Sequence, residues 1–291
     1  MKTFKPSELI INPDGTIFHL HLLPGDIAKK ILLVGDPGRV RLVASLFENI
    51  EFEKENREFV TITGTYKGER FTVLSTGIGT DNIDIVVNEL DALANIDFET
   101  RTEKVDKTQL TLVRMGTSGA LQPNIPVNSF VLSKTSIGFD GLLNFYTAVE
   151  KITNIDFENK FMEHTSWNTR LTTPYVVDGS DEIYNKMNSN QTVEGITISA
   201  PGFYAPQGRE LRIPLLDPEL NDKIGAFRYE GRAITNFEME CSAIYGLSKH
   251  MGHKAMTICT IIANRVRKEA NVNYHGRVKE MIEYTLEHLL D

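Results

Sequence analysis

Short apolar runs alternate with amphipathic stretches along this chain, and that alternation limits its fold more than any other feature. Ile31–Val34 reads as a buried strand, because a short apolar run bounded by turn residues suits a strand covered on both faces. It stops at Gly35-Asp36-Pro37-Gly38-Arg39, a turn by composition, and an amphipathic segment from Val40 to Phe47 follows. The pattern recurs. Phe59 to Thr65 and Arg70 to Thr76 flank Tyr66-Lys67-Gly68-Glu69 and read as a hairpin. Ile83, Val86, Val87, Leu90 and Ala94 share one face of a helix over Asp81 to Asn95. Leu110 to Val113, Asn128 to Lys134 and Ala255 to Ile262 read as strands, Glu238 to Met251 and Val272 to Leu290 as helices. Such alternation implies a sheet with helices on both faces. Glu99 to Gln109 reads as an exposed polar excursion, and Asn144 to Thr172 as a long connection containing a helix. No repeat, low-complexity tract or linker divides the 291 residues, so one domain over 1–291 is expected.

Three segments carry unusual chemistry. The first is the pair of turns that end strands: Gly35–Arg39, and Arg114-Met115-Gly116-Thr117-Ser118-Gly119. Glycines let main-chain N–H groups approach an anion, and an arginine fork matches phosphate oxygens. In an open α/β sheet, ligands gather beyond the carboxyl ends of strands, where both turns are expected. Ordinary turn chemistry with surface arginines explains either turn alone about as well. The second segment, Asn236-Phe237-Glu238-Met239-Glu240, sets two carboxylates two residues apart at a helix edge. They could grip vicinal hydroxyls of a ribose, or simply suit the positive end of a helix dipole. The third, Phe203-Tyr204-Ala205-Pro206-Gln207-Gly208-Arg209, joins an aromatic, an amide with donor and acceptor, and a donor-only guanidinium. That set complements a pyrimidine edge; a Pro/Gly loop with incidental polar residues is the plainer meaning.

Other patterns exclude chemistry. Gly-x-x-x-x-Gly-Lys-Ser/Thr is absent, and Thr76-Gly77-Ile78-Gly79 lacks the third glycine and spaced acid of a dinucleotide fingerprint. His19 and His21 would share a strand face, and His250 and His253 nearly share a helix face, but neither pair has a third ligand, so no metal is expected. Ser118 is not in a nucleophile elbow. Cys241 and Cys259 read as buried thiols of a reducing compartment. The N-terminal residues Met1 to Asn12 show no signal-peptide pattern and no apolar run reaches membrane-spanning length, which points to the cytoplasm. A net charge of -8 argues against a general nucleic-acid binder.

In order and spacing, the segments from Phe18-His19-Leu20 to Asn264-Arg265 resemble the nucleoside phosphorylase-I superfamily, and within it the uridine phosphorylases. The resemblance implies a three-layer α/β/α fold around a mixed, strongly twisted sheet. It implies reversible phosphorolysis of uridine to uracil and ribose 1-phosphate, with phosphate as co-substrate and no cofactor. On it, Gly35, Arg39, Arg114 and Thr117 would bind phosphate, joined by Arg57 from a neighbouring subunit. His19 would reach a neighbour's ribose, and Glu238, Met239 and Glu240 would hold the ribose directly. Phe203, Gln207, Arg209, Ile261, Ile262 and Arg265 would frame the base. Arg209, Gln207, Glu240 and Arg114 would be the catalytic group. Purine-cleaving relatives place an aspartate near the base, where this chain has Ala263-Asn264-Arg265. Residues shared across subunits imply a homo-oligomer, with a dimer as its unit and a hexamer in the bacterial pattern. Some relatives hold a monovalent cation at the dimer interface, through residues matching Glu58 and the stretch after Gly79. Here that stretch reads Thr80-Asp81-Asn82, which weakens the expectation of a cation. The alternatives are a nucleosidase or purine nucleoside phosphorylase of the same superfamily, or a non-catalytic nucleoside binder.

Overall fold

The computed structural model describes residues 2–291, and Met1 lies outside them. Eleven strands form one mixed sheet. In chain order they are β1 (Lys30–Val34), β2 (Asn49–Asn56), β3 (Phe59–Tyr66), β4 (Glu69–Ser75), β5 (Thr111–Ala120), β6 (Phe130–Gly138), β7 (Tyr175–Asp178), β8 (Thr192–Ser199), β9 (Asn236–Glu238), β10 (Lys254–Asn264) and β11 (Glu269–Ala270). The seven α-helices of the described residues are α1 (Pro37–Ala44), α2 (Thr80–Asn95), α3 (Ile155–Thr165), α4 (Asp181–Met187), α5 (Leu220–Ala226), α6 (Cys241–Met251) and α7 (His275–His288).

At one end the sheet closes on itself. Strand β5 pairs with β10 in parallel and with β9 antiparallel. From β9 the pairing runs through β8 and β6 back to β10, so five strands make a ring. At the other end the sheet continues from β5 through β1, β4 and β3 to β2, which is the free edge. Helix α6 packs against α2, while α7 touches α1 and α4, and both α6 and α7 lie on β10. The sheet is therefore covered on two faces. Every residue of α6 from Cys241 to Ser248 is buried, as expected of a helix that is apolar nearly all round.

Several local expectations change. The string Arg114–Gly119 is not a turn but part of β5, because that strand pairs with β10 from Thr111 to Ala120. Sheet pairing here overrides a composition that favours loops. Helix α6 starts at Cys241, since Asn236–Glu238 is drawn into the sheet as β9. The closing helix starts at His275 and not at Val272. His19 and His21 share no strand face: both lie in a turn region, and His21 has φ 53°. His253 lies beyond the Gly252 cap of α6, where Leu110 N–H donates to its Nδ1 and its Nε2 meets Asp91. The excursion at 99–109 is pinned down: Thr102 bridges to Thr3, and the Arg101 guanidinium donates to the carbonyls of Phe4 and Leu9.

Candidate active site

A cleft of about 430 Å³ opens where β1, β5 and β9 end and the five-strand ring has its mouth. Three groups of side chains meet in it. The first group is built at the start of α1. The Asp36 side chain caps that helix by accepting from Gly38 N–H at 2.8 Å, and Pro37 occupies the first turn, where its missing N–H costs nothing. Capping fixes Arg39, whose guanidinium donates to Met115 O at 3.2 Å. Burial pushes Arg39 below its ordinary value; Asp36 opposes this and the like charge of Arg114 adds to it. Two guanidiniums that repel each other in a half-buried cleft are relieved by an anion between them. Gly35 and Thr117 line the same end.

The middle of the cleft is a buried charge cluster. Arg114 pairs with Glu240, and its other arm lies 3.3 Å from Glu238. Burial opposes the Arg114 charge, but Glu240 and Glu238 outweigh it and hold its pKa above the ordinary value. Room for that guanidinium comes from Gly116, where a methyl group would stand 2.0 Å from Arg114 Nη1 and 2.9 Å from Cys259 Sγ. Glu238 is spent on the fold: its oxygens accept from Ser199 Oγ, Glu240 N–H and Cys241 N–H as well as facing Arg114. Burial raises its pKa against the pull of Arg114. Glu240 is less committed. One oxygen meets Arg114 and the other accepts from Gly79 N–H at 2.8 Å. Met239 lines the cleft beside it.

The third group stands on the loop after β8. Gln207 is buried, and its amide oxygen accepts from Arg209 at 2.8 Å and from Arg265 at 2.7 Å. Arg265 also donates to the main-chain carbonyl of Gln207, so it stands behind the loop. Burial, with the charge of Arg209, brings the Arg265 guanidinium down to about 10. Phe203 is half exposed, with Arg209 stacked on its ring at 3.7 Å. Because two guanidiniums occupy the Gln207 oxygen, its acceptor is not free in this arrangement; the amide N–H groups and the arginines make this end a field of donors. Ile262 faces the cleft, whereas Ile261 is fully buried with Ala120, Ile125 and Val131. The pairing of β10 with β5 shifts register between Ile261 and Ala263, which turns Ile262 and Ala263 to the cleft and leaves Ile261 in the core, so the base-lining role expected of Ile261 is withdrawn.

His19 and Arg57 stand apart from this cleft. His19 Nδ1 meets Glu89 at 2.6 Å, and Asn56, next to Arg57, donates to His19 O at 2.7 Å. The two residues expected to serve a neighbour thus share one region of the surface, with Arg57 exposed. Sequence reasoning missed Gly79, set aside with the discounted Thr76–Gly79 string, and Asn271 and Tyr274 at the mouth. Tyr274 was read as helix, and only the later start of α7 frees it; Asn271 lies just before that expected helix. Among the described residues no cluster of three or more His, Cys, Asp or Glu side chains is arranged to hold a metal, and no helix is long and apolar enough to cross a membrane.

The phosphorylase superfamily family model matches residues 29–290. The chain belongs to that superfamily. The nucleoside phosphorylase of Trypanosoma brucei, described as showing uridine phosphorylase activity, is 30% identical, with a TM-score of 0.86 over 97% of this chain and 99% of its own. A uridine phosphorylase of Thermococcus kodakarensis is 29% identical, matching 92% of this chain and 85% of that protein. A DeoD-type purine nucleoside phosphorylase of Geobacillus kaustophilus is 28% identical, over 92% and 96%. Both pyrimidine and purine branches of the superfamily therefore resemble this chain.

Proposed function

We propose that this phosphorylase cleaves uridine with inorganic phosphate, giving uracil and ribose 1-phosphate. The observation that carries the reading is the convergence of Arg209 and Arg265 on Gln207 at the base end of the cleft. Uracil leaves with negative charge on its ring and carbonyls, and a pre-formed set of donors stabilises that charge as it grows. A purine that departs by protonation needs an acid there, and the strand end supplies Ala263 and Arg265 in its place.

Phosphate sits against Arg39 and Arg114, with Gly35 and Thr117 beside it. Glu240 accepts the ribose hydroxyls, and Met239 packs on the sugar. A phosphate oxygen forms the bond to the anomeric carbon as the bond to the uracil nitrogen breaks. The electron pair of that bond goes to uracil, which then takes a proton from solvent. Holding phosphate and ribose in line removes the orientation cost of the step. The reaction as written consumes no cofactor and no metal. Arg57 and His19 of a second subunit complete the phosphate and ribose ends in this reading, so the working unit is at least a dimer. The whole chain acts as one phosphorylase domain, in the cytoplasm.

The test is uracil release from uridine by the purified protein, with and without phosphate, beside inosine. Phosphate-dependent release from uridine is the expected result. Release without phosphate would replace the reading with a nucleosidase, preference for inosine with a purine enzyme, and binding without turnover with a nucleoside-binding protein.

A further inference from the structure

We propose that the main-chain N–H of Gly79 is a positioning group that sets the selectivity of the cleft for ribose over 2-deoxyribose. The inference rests on the ribose role proposed above for Glu240 and deepens it.

The side chain of Glu240 is 3% exposed and is held at two points. Arg114 takes Oε2, and Gly79 N–H donates to Oε1 at 2.8 Å. With one anchor the carboxylate would swing about Oε2; with two, its plane is fixed. Each oxygen keeps one free lone pair, so a fixed carboxylate offers two parallel acceptors, the geometry that vicinal hydroxyls require. A 2-deoxyribose leaves one of those acceptors unmatched in a buried place, which is how hydrogen-bonding sites reject analogues that lack a hydroxyl.

The segment is built to present that N–H. Thr76 N–H donates to Val34 O at 2.8 Å, tying the start of the segment to β1. Gly77 turns at φ 71°, and Gly79 caps α2 with φ 99° and ψ 161°. That region of backbone space is open essentially to glycine alone. A methyl group on Gly79 would also meet Asp81 Oδ1 at 2.8 Å. A side chain at position 79 must therefore turn the peptide, and turning it withdraws the N–H from Glu240. Gly79 is a positioning residue and touches no substrate; Glu240 makes the contact.

The experiment measures kcat/KM for uridine and 2′-deoxyuridine in the unsubstituted protein, Gly79→Ala and Gly68→Ala. Gly68 also has a positive φ, 81°, but sits in a hairpin turn with nothing within 4 Å of an added methyl. It reports what backbone strain does elsewhere. The unsubstituted protein should prefer uridine. Gly79→Ala should lower the uridine-to-deoxyuridine ratio by about tenfold, through loss on uridine, as expected when a catalytic contact is misplaced. Gly68→Ala should leave the ratio alone. In a Glu240→Ala background, Gly79→Ala should change the ratio no further. If Gly79→Ala does not fold, Gly79→Ala/Asp81→Ala, which removes the clashing carboxylate, carries the same prediction. An unchanged ratio in either folded variant overturns the inference, as does equal use of both nucleosides by the unsubstituted protein. No turnover of uridine at all would instead refute the proposed function.

Discussion

Gln207 has its amide oxygen held by two guanidiniums, which makes Arg209 and Arg265 a matched pair aimed at one point. Removing Arg209 takes away the donor proposed for the departing base without opening a core, since its side chain is only half-buried in the loop. Arg209→Ala should keep its melting temperature and lose about 10²- to 10³-fold in kcat/KM for uridine, the scale of a deleted oxyanion donor; steady-state kinetics beside a thermal melt would decide it. Asp140 supplies a pH signature away from the cleft. Burial raises its carboxyl above the ordinary 3.8, against bonds from Leu142 N–H, Tyr175 and Ser242. A carboxyl raised in the folded state contributes stability that is complete below the unfolded pKa and is lost as pH rises through the folded one. Asp140→Asn cannot ionise, so it should flatten the fall in stability that begins above about pH 4. Denaturant midpoints over a pH series would show it; parallel profiles for the two proteins would refute it. The legible residues were those whose side chains meet in the cleft: Arg39, Arg114, Glu240, Gln207 and Arg209 stood out as types in unusual company. Gly79 did not, because its contribution is a main-chain N–H whose direction depends on a dihedral angle. Ile261 misled because a strand's facing cannot be fixed without its register.

Among the elements, β5 shows what composition conceals. Its Met115-Gly116-Thr117-Ser118-Gly119 reads as a loop, yet it is a strand between β1 and β10, and Gly116 is there to admit a guanidinium. Gly116→Ala should cost about 1–3 kcal/mol, the usual range for overpacking a filled interior, and should weaken phosphate saturation because Arg114 must move. Chemical denaturation and the KM for phosphate would test both halves. The join between β8 and α6 is similar. Ser199 Oγ donates to Glu238 and accepts from Ser242 N–H at 2.8 Å. Ser199→Ala leaves a buried carboxylate short of a partner and should cost about 1–3 kcal/mol; a midpoint unchanged from the parent would refute that. The hairpin of β3 and β4, helix α2 and strand β10 were readable because apolar periodicity and turn residues agreed there. Strands β2, β7 and β8 were not. The alternating charges of β2 look like a solvated loop, and β7 and β8 are assigned only by the strands they pair with.

For the molecule as a whole, the proposed roles of His19 and Arg57 bear on how many chains make a working unit. Both lie together and away from the cleft of their own chain, so their proposed service is to a neighbour. Mixing Arg57→Ala with Arg209→Ala, each nearly inactive alone, should restore activity on refolding together. In a mixed dimer one site has an intact cleft and takes Arg57 from the other chain, giving about a quarter of parental activity for random pairing. Activity that stays at the sum of the two separate variants would place Arg57 outside the site.

The five-strand ring has a consequence in time. Its seam joins β5 to β10, and the bond between Leu110 and His253 at the start of that seam spans 143 positions of chain. Contacts so distant in sequence form late, because the intervening loop must be ordered before they bring any gain. The stretch from β1 to β4 can pair as soon as it leaves the ribosome, but the ring stays open until β10 has been synthesised. Arg114 therefore waits, buried side chain without its lasting place, for the last quarter of the chain to arrive. Until then the cleft also lacks Ile262 and Ala263 on its wall and the arginine that bonds Gln207.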